Sequence, residues 1–459
     1  MIIKTYFIYI ALVIITVNNI SCKKFLNNKQ DKSLIVPSSL FDLQAILDGN
    51  TMTIAATPSM GEISCDDYFV PISTFNKLNV AELNYYTWQY YFFATGNDWS
   101  NGYARIYNAN LCLDILKDIE RTNSNSKSYD NIHGSALFFR SYYLLWLLWD
   151  YSKAYDKSTA NSDLGIILRT SSALEGPTQR ATVQECYQLI IKDLKTAIQL
   201  LPITPLNNRR PSKIAAYGLL TRCYLSQNDY ANALLNADSC LNLNNSLLNY
   251  NDPKDFINGL DATKPFSADN KEIIFYSDFN NSNSGIYRTS KSRIDSILIN
   301  NFNSDDLRLK AYFKINKDGY YQFKGSYGLT TNSTFSGIAV DEILLSRAEC
   351  YIREENIQKG LMDLNRLLTT RYKTNSFIAY KNLTKDSALN EVLKERRKEL
   401  ILRGLRWMDL KRLNKLGRNI ILKRNTGEKT YTLLPNAAHY ALPIPEDIIN
   451  ITGMKQNEL

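Results

Sequence analysis

Two segments of the chain carry the same helix-pair pattern, which restricts the possible fold more than any other feature. Residues 213–243 read KIAAYGLLTRCYLSQNDYANALLNADSCLNL, and residues 344–368 read LLSRAECYIREENIQKGLMDLNRLL. In both, an aromatic residue is followed nine positions later by a small one: Tyr224 and Ala233 in the first unit, Tyr351 and Gly360 in the second. Small side chains let two antiparallel helices approach closely, so each segment predicts a tightly packed helix pair.

These spacings are typical of tetratricopeptide units, which repeat about every 34 residues. Tyr224 and Tyr351 are 127 positions apart, so the two units cannot be consecutive repeats. The intervening stretch, roughly Asn244 to Gly337, is rich in Asn, Ser, Gly and Tyr, and residues 313–323 predict a β-hairpin. We predict a mostly α fold, a tetratricopeptide-like helical-repeat scaffold with a long loop and β-hairpin insertion at about 244–337.

Helical periodicity extends through the rest of the chain. Trp99, Tyr103 and Tyr107 recur at four-residue steps, and residues 133–155 would form a helix that is apolar on nearly every face. In residues 182–200, apolar residues recur at three- and four-residue steps. No segment rich in Pro, Gly and Ser divides the chain, so residues 22–459 are predicted to form a single domain.

The N-terminus has the pattern of an export signal. Residues 6–17 form an apolar run that is too short for a membrane-spanning helix, which needs about 20 residues. Cys22 follows this run and a small residue, as in the lipid-attachment site of bacterial lipoproteins. We predict a signal peptide over residues 1–21 and lipidation of Cys22. An ordinary cleaved signal next to a chance cysteine is the alternative.

Charge and motifs exclude several classes of function. The net charge of +9 is spread without a long basic run, which argues against a nucleic-acid partner. Two histidines cannot build a multi-histidine metal site, and no nucleophile elbow or phosphate-binding loop is present. No catalytic residue, metal or cofactor is therefore predicted. The acidic pairs Asp66-Asp67 and Asp305-Asp306 are interpreted as solvated loop residues, and the six cysteines after Cys22 as buried free thiols.

The most densely charged segment spans residues 393–417, LKERRKELILRGLRWMDLKRLNKLG. Acidic and basic side chains alternate there and are followed directly by Trp407 and leucines. We interpret this segment as an ion-pair cluster packed against the core, and not as a polyanion site.

Several motifs, in one order along nearly the whole chain, resemble those of the RagB/SusD family of bacterial outer-membrane lipoproteins. They are the CKKFL start at Cys22, the helix pattern of Trp99, Tyr103, Ile106 and Asn110, the segments 138–143 and 272–275, Asp306 to Arg308, the ERRKEL segment 395–400 with Gly404 and Trp407, and the C-terminal segments 442–445 and 456–457. Arg403, Leu405 and Asn27 depart from the family pattern.

The resemblance implies a lid-like surface lipoprotein that is lipid-anchored in the outer membrane and binds a nutrient, usually an oligosaccharide. Its implied partner is a TonB-dependent transporter barrel. Some family members bind peptides, so an oligopeptide ligand stays open. A protein-interaction scaffold without a small ligand is a further alternative, and an unrecognised hydrolase is the weakest.

The candidate ligand contacts come from the stretch YYTWQYYFFATGNDW, residues 85–99, and from the insertion. If the stretch is extended, its aromatic side chains alternate between two faces, and Trp and Tyr rings are suited to pack against sugars. The alternative is a structural role, in which the aromatic residues pack beneath the following helix. The candidates are Tyr85, Tyr86, Trp88, Tyr90, Asn97 and Asp98 in the stretch, and Tyr287, Tyr320, Tyr321 and Tyr327 in the insertion. Asn97 and Asp98 could instead cap that helix.

Overall fold

The computed structural model of the protein describes residues 37–89, 97–280, 285–287 and 290–458. Cys22 and the predicted signal peptide lie outside these residues. Within them the chain is mostly helical, as predicted, and the strands are short. No helix of the described part is long and apolar enough to cross a membrane.

The helices run in chain order from α1 to α16. Their bounds are α1 Leu40–Leu47, α2 Met60–Ser64, α3 Ile72–Phe75, α4 Val80–Tyr86, α5 Asp98–Leu116, α6 Ser126–Tyr151, α7 Val183–Leu200, α8 Lys213–Ser226, α9 Tyr230–Leu243, α10 Ser296–Ile299, α11 Arg308–Tyr312, α12 Val340–Arg353, α13 Ile357–Arg371, α14 Lys385–Glu399, α15 Arg406–Lys415 and α16 Glu446–Thr452. Short 3₁₀ turns occur at Asn50–Met52 and Ala438–Tyr440.

The strands form four separate antiparallel pairs, β1 with β3, β2 with β6, β4 with β5 and β7 with β8. Their bounds are β1 Tyr68–Phe69, β2 Ile273–Phe275, β3 Arg293–Ile294, β4 Phe313–Ile315, β5 Tyr321–Phe323, β6 Ile338–Ala339, β7 Leu422–Asn425 and β8 Thr430–Leu433. The β4–β5 pair is the predicted hairpin, with Phe313 opposite Phe323 and Ile315 opposite Tyr321.

The long helices pack as one continuous array. Helix α5 packs on α6, α6 on α7, α7 on α8, α8 on α9, α9 on α12, and α12 on both α13 and α14. The predicted helix pairs are α8–α9 and α12–α13, so the units that are distant in sequence are neighbours in space. Arg347 of α12 joins Asp238 of α9 at 2.9 Å across this junction.

Close approach within the second pair depends on Gly360, as its position in the sequence pattern predicts. A Cβ atom at Gly360 would lie 2.5 Å from Cγ1 of Ile352 on the facing helix, closer than side-chain atoms pack. Helix α7 begins where the Thr182 side chain accepts a hydrogen bond from the backbone N–H of Glu185, and the Glu185 carboxylate accepts one from the backbone N–H of Thr182.

A buried ion cluster ties the insertion to the scaffold. Its members are Glu272, Asp306, Arg308, Arg371, Glu395, Lys398 and Glu399, and each side chain is at most 2% exposed. Arg308 donates to Asp306 at 2.7 Å, to Glu395 at 2.6 Å and to Glu399 at 2.9 Å. This arrangement confirms that the charged segment around residue 395 packs as ion pairs against the core.

Arg371 forms the second centre of the buried ion cluster. It donates to Glu399 at 2.7 Å and to Glu272 at 2.7 Å, so α13, α14 and the insertion meet at one guanidinium. Burial alone would raise the pKa of Glu399, but Arg371 and Arg308 hold that pKa below its usual value. The carboxylate is therefore charged and fully compensated.

The interpretation of the acidic pairs as solvated loop residues is wrong for three of the four carboxylates. Asp306 belongs to the buried ion cluster, Asp67 is 1% exposed and bonded to Arg397 at 2.8 Å, and Asp66 is bonded to Arg406 at 2.7 Å. Only Asp305, which pairs with exposed Lys373, fits the expectation. The arginine partners of Asp66 and Asp67 lie more than 300 positions later, so local sequence gave no sign of them.

The six cysteines of the described residues, Cys65, Cys112, Cys186, Cys223, Cys240 and Cys350, are buried and unpaired, as predicted. The domain boundaries and the limits of the insertion stay predictions.

We expect Glu399→Gln to destabilise the protein by about 3 kcal/mol or more, because two buried arginines lose a charged partner. The free energy of unfolding can be measured by urea denaturation followed by far-UV circular dichroism. The matched control, Lys373→Gln, breaks an exposed pair with Asp305 and should cost under about 1 kcal/mol. Equal losses in the two variants would contradict the central role of the cluster.

Candidate ligand-binding site

The described part of the aromatic stretch is a helix end, not an extended strand. Asn79 caps α4 by accepting from the backbone of Glu82, whose side chain bonds back to Asn79. This capping places Tyr85 and Tyr86 in the last helical turn, and Trp88 follows with a left-handed φ of 56°. The predicted alternation of two faces therefore does not form over residues 85–88.

The aromatic side chains in this helix end lie in the core. Tyr85, Tyr86 and Trp88 are 8%, 1% and 6% exposed. The indole nitrogen of Trp88 donates to the carbonyl of Ser64 at 3.0 Å, which satisfies its polar atom inside the protein. Tyr90 lies outside the described residues.

Arg424, on β7, organises this aromatic cluster. Its guanidinium lies 4.4 Å from the ring centre of Tyr86, 4.7 Å from that of Tyr68 and 5.2 Å from that of Trp88. It also donates to the carbonyl groups of Tyr68 and Cys65. A cation among aromatic faces is stabilised by their electron density, so these rings surround a buried charge in the structure and do not present an open platform.

Asn97 and Asp98 hold the start of α5. Asn97 caps the helix by accepting from the backbone of Ser100 at 2.8 Å. Asp98 accepts from the backbone of Ser59 at 2.6 Å and from the side chain of Asn280 at 2.8 Å. Burial raises the pKa of Asp98 to about 6. The bond to Asn280 brings the end of the aromatic stretch next to the insertion.

The tyrosines of the insertion divide into buried and accessible ones. Tyr287 and Tyr327 are each 1% exposed, and the hydroxyl of Tyr327 donates to Glu272 of the buried ion cluster at 2.5 Å. Tyr321 is half-buried on β5. Tyr320 is 45% exposed and contacts the ring edge of Phe69 with a centroid distance of 5.1 Å.

A shallow, open cavity of about 30 Å³ lies in the insertion, and we name it the insertion cavity. Its lining combines aromatic rings with hydroxyl, amide and ammonium groups: Tyr287, Phe323, Lys324, Ser326, Thr331, Asn332, Ser333, Thr334 and Leu402. The exposed side-chain amide of Asn332 makes no hydrogen bond to the described residues. Tyr320 lies directly before β5, the strand whose Phe323 lines the cavity.

Most of the polar lining of the insertion cavity was missed from sequence. The sequence indicated Tyr287 but none of the polar lining residues, which are Lys324, Ser326 and residues 331–334. The signal that could have found them is the run TTNSTFSG at 330–337, where hydroxyl and amide side chains fill a loop on a rigid scaffold.

Glu62, Cys65 and Asp67 are the one group of described side chains close enough to share a metal ion. Burial and the nearby Asp67 raise the pKa of Glu62 to about 8, and burial also raises the pKa of the Cys65 thiol. The thiol donates to Glu62 at 3.1 Å, and Arg397 neutralises Asp67. These donors favour internal hydrogen bonds over a cation.

Two family models match the chain, and together they span most of it. Residues 24–225 match a SusD-like model described as starch-binding and associating with the outer membrane. Residues 276–459 match the SusD family model, SusD_RagB. The resemblance that the sequence motifs indicated is thereby confirmed. No curated protein shows significant similarity to the chain.

Solved structures share the fold. One from Bacteroides vulgatus is 23% identical, with a TM-score of 0.75 over 92% of this chain and 99% of its own. A SusD superfamily protein from Bacteroides thetaiotaomicron is 20% identical, with a TM-score of 0.73 over 92% and 100%. A SusD-like carbohydrate binding protein from Bacteroides vulgatus is 19% identical, with a TM-score of 0.65 over 91% and 97%.

We expect Trp88→Ala to lower the free energy of unfolding by about 3–5 kcal/mol, because it opens a cavity in the core beside Arg424. Tyr320→Ala removes an exposed ring and should cost about 1 kcal/mol or less. Urea denaturation of both variants measures the difference. Wild-type stability for Trp88→Ala would show that this ring does not support the core.

Glu62 should make the stability of the fold fall as the pH rises. The folded state keeps its proton up to about pH 8, whereas an unfolded glutamate releases it near pH 4.5. The stabilisation is therefore complete below pH 4.5 and is lost as the pH rises through 8. Glu62→Gln cannot ionise, so its stability relative to wild type should improve between acid and alkaline solution.

The measurement is urea denaturation of wild type and Glu62→Gln at mildly acidic and at alkaline pH. Glu185→Gln is the control, because hydrogen bonds from Thr182 lower the pKa of Glu185. The difference in stability between Glu185→Gln and wild type should change only in acid. A constant difference between Glu62→Gln and wild type would contradict the raised pKa.

Proposed function

The chain belongs to the SusD/RagB family, and from this premise we propose that it is a cell-surface lipoprotein that captures oligosaccharides and delivers them to a TonB-dependent outer-membrane transporter. The family model that covers its N-terminal half describes starch-binding proteins associating with the outer membrane. Lipid attachment at Cys22 would supply the membrane anchor. The proposal assigns the protein a binding role and no catalytic step.

The observation that carries the proposal is the chemistry of the insertion cavity. Saccharides present many hydroxyl groups, which both donate and accept hydrogen bonds, together with flat C–H faces. Ser326, Thr331, Asn332 and Ser333 offer hydroxyl and amide groups of matching chemistry, and Phe323 offers an aromatic surface. A concave site of mixed aromatic and polar lining is the usual form of a small-ligand site.

Tyr320 extends this surface beyond the cavity. Its exposed ring is braced by Phe69, and neighbouring Asp318 pairs with Arg293 at 2.8 Å. An aromatic platform outside the cavity suits a ligand longer than one sugar unit. We therefore assign the primary contacts to Asn332 and Tyr320, and a supporting role in the core to Tyr85, Tyr86 and Trp88.

The buried ion cluster supports the proposal through rigidity. Tyr327 reaches Glu272 from the same loop that lines the cavity, so the cavity wall is held by the scaffold. A pre-formed site loses less conformational entropy when it binds a flexible sugar chain.

We expect Asn332→Ala and Tyr320→Ala each to weaken oligosaccharide binding by about tenfold without loss of stability, because each removes a direct contact. Isothermal titration calorimetry of the purified full chain against panels of oligosaccharides and of oligopeptides measures this. Tyr107→Ala is the matched control, since Tyr107 is also exposed, at 44%, but lies on α5.

Saccharide binding that is insensitive to both substitutions would remove the insertion cavity from the proposal. Binding of peptides alone would overturn the oligosaccharide assignment in favour of peptide capture. If no oligosaccharide and no oligopeptide binds, the result would favour a scaffold that binds another protein through its helical array.

A further inference from the structure

A second cavity, outside the insertion, is lined by basic side chains. It is open, has a volume of about 300 Å³, and lies between the second half of α14, helix α15 and the turn that follows α15. Its charged lining consists of Lys394, Arg396, Arg397, Arg406, Arg418 and a single carboxylate, Asp409. We name it the arginine cavity. It shares no lining residue with the insertion cavity.

Arg406 and Arg397 are anchored by hydrogen bonds to Asp66 and Asp67. Arg406 donates from Nε and Nη2 to Asp66 at 2.7 and 2.9 Å. Arg397 donates from Nε to Asp67 at 2.8 Å and from Nη2 to the carbonyl of Asp66 at 2.9 Å. Within the described residues, the Nη1 atoms of Arg397 and Arg406 make no hydrogen bond. These side chains are therefore fixed in place while each keeps an unused donor.

Arg396 and Arg418 also have side-chain donors without hydrogen-bond partners in the described part of the chain. Arg396 is 2% exposed, and it donates to Asp409 at 2.7 Å and to the hydroxyl of Ser346 at 3.0 Å. Its Nη2 atom is buried and has no hydrogen-bond partner in the described part of the chain. Exposed Arg418 donates only to the amide oxygen of Asn390 at 2.6 Å, and no carboxylate of the described residues pairs with it.

The charge balance of the cavity is positive. Lys394 pairs with Glu391 on its own helix, and Asp409 is shared between Arg396 and Arg412, which also pairs with Glu349 at 2.7 Å. One carboxylate thus divides its charge between two guanidinium groups, and Arg418 adds an uncompensated charge at the rim. Buried polar donors without partners are costly, and an anion in the cavity would relieve that cost.

We propose that the arginine cavity binds a phosphate-type oxyanion, either free inorganic phosphate or a phosphate monoester carried by a sugar. A phosphate group offers several oxygen acceptors and up to two charges. Guanidinium groups pair with phosphate through parallel hydrogen bonds, and four such groups line one cavity here. From sequence, this charged segment was interpreted as ion pairs packed against the core and not as a polyanion site, and most of it does pack internally. The oxyanion site uses the donors that remain.

The test is isothermal titration calorimetry of the full chain in low-salt buffer without phosphate. The probes are inorganic phosphate, glucose 6-phosphate and, as the uncharged comparison, glucose. We expect binding of one or both phosphates and about tenfold weaker affinity in Arg418→Gln, because an exposed charged donor is lost. Affinity should also fall as the salt concentration rises. Lys394→Gln is the second variant at the rim.

Arg121→Gln is the matched control, because it removes the same charge from an exposed arginine, 50% accessible, that pairs with Asp130 elsewhere on the surface. Asn332→Ala separates this inference from the proposed function, since it should leave phosphate binding unchanged. Thermal denaturation confirms that the rim variants remain folded.

Binding of inorganic phosphate that weakens at the rim supports a site for the free ion. Binding of glucose 6-phosphate alone, with the same sensitivity, supports a site for a sugar-borne monoester. Absence of binding by either phosphate in the millimolar range, or affinity that is equal in wild type, Arg418→Gln and Lys394→Gln, overturns the inference.

Discussion

Two buried guanidinium groups, those of Arg308 and Arg371, are the centre on which the architecture depends. Each binds carboxylates from different parts of the chain, and Glu399 binds both. Removing such charges from water is expensive, and their mutual attraction offsets that cost only when every partner is in place. The cluster therefore requires the insertion, α13 and α14 to be positioned together. It contributes geometric definition more than net stability.

A second buried cation, Arg424, plays a comparable part next to residues 65–68. Arg424 lies among the rings of Tyr68, Tyr86 and Trp88, and its nitrogens donate to backbone carbonyls. Tyr86 and Trp88, which the sequence indicated as candidate ligand contacts, line this buried cation site. Polar groups with fixed partners thus specify the packing at two points within a largely apolar core.

How far the sequence predicted the structure depends on whether the information is local. Helices such as α5 and α6, the helix pairs and the β4–β5 hairpin follow from periodicity and turn chemistry, because those signals lie within each segment. The burial of Asp67 could not be predicted, since its partner Arg397 is 330 positions away. The burial of Trp88 could not be predicted for a similar reason, because Arg424, whose guanidinium contacts its ring, lies on a remote strand. The polar lining of the insertion cavity was missed because loop composition alone does not show which residues face inward.

The junction between α9 and α12 also has a consequence for how the chain reaches its native state. These neighbours are separated by the whole insertion, so the scaffold is completed only after a very long loop has closed. Closure of such a loop carries an entropic cost that contacts must repay later, and structures rich in distant contacts fold slowly. During synthesis, the exposed face of α9 has no partner until α12 emerges. The first half of the helical array is therefore expected to pass through an intermediate that is prone to aggregation until the second half docks.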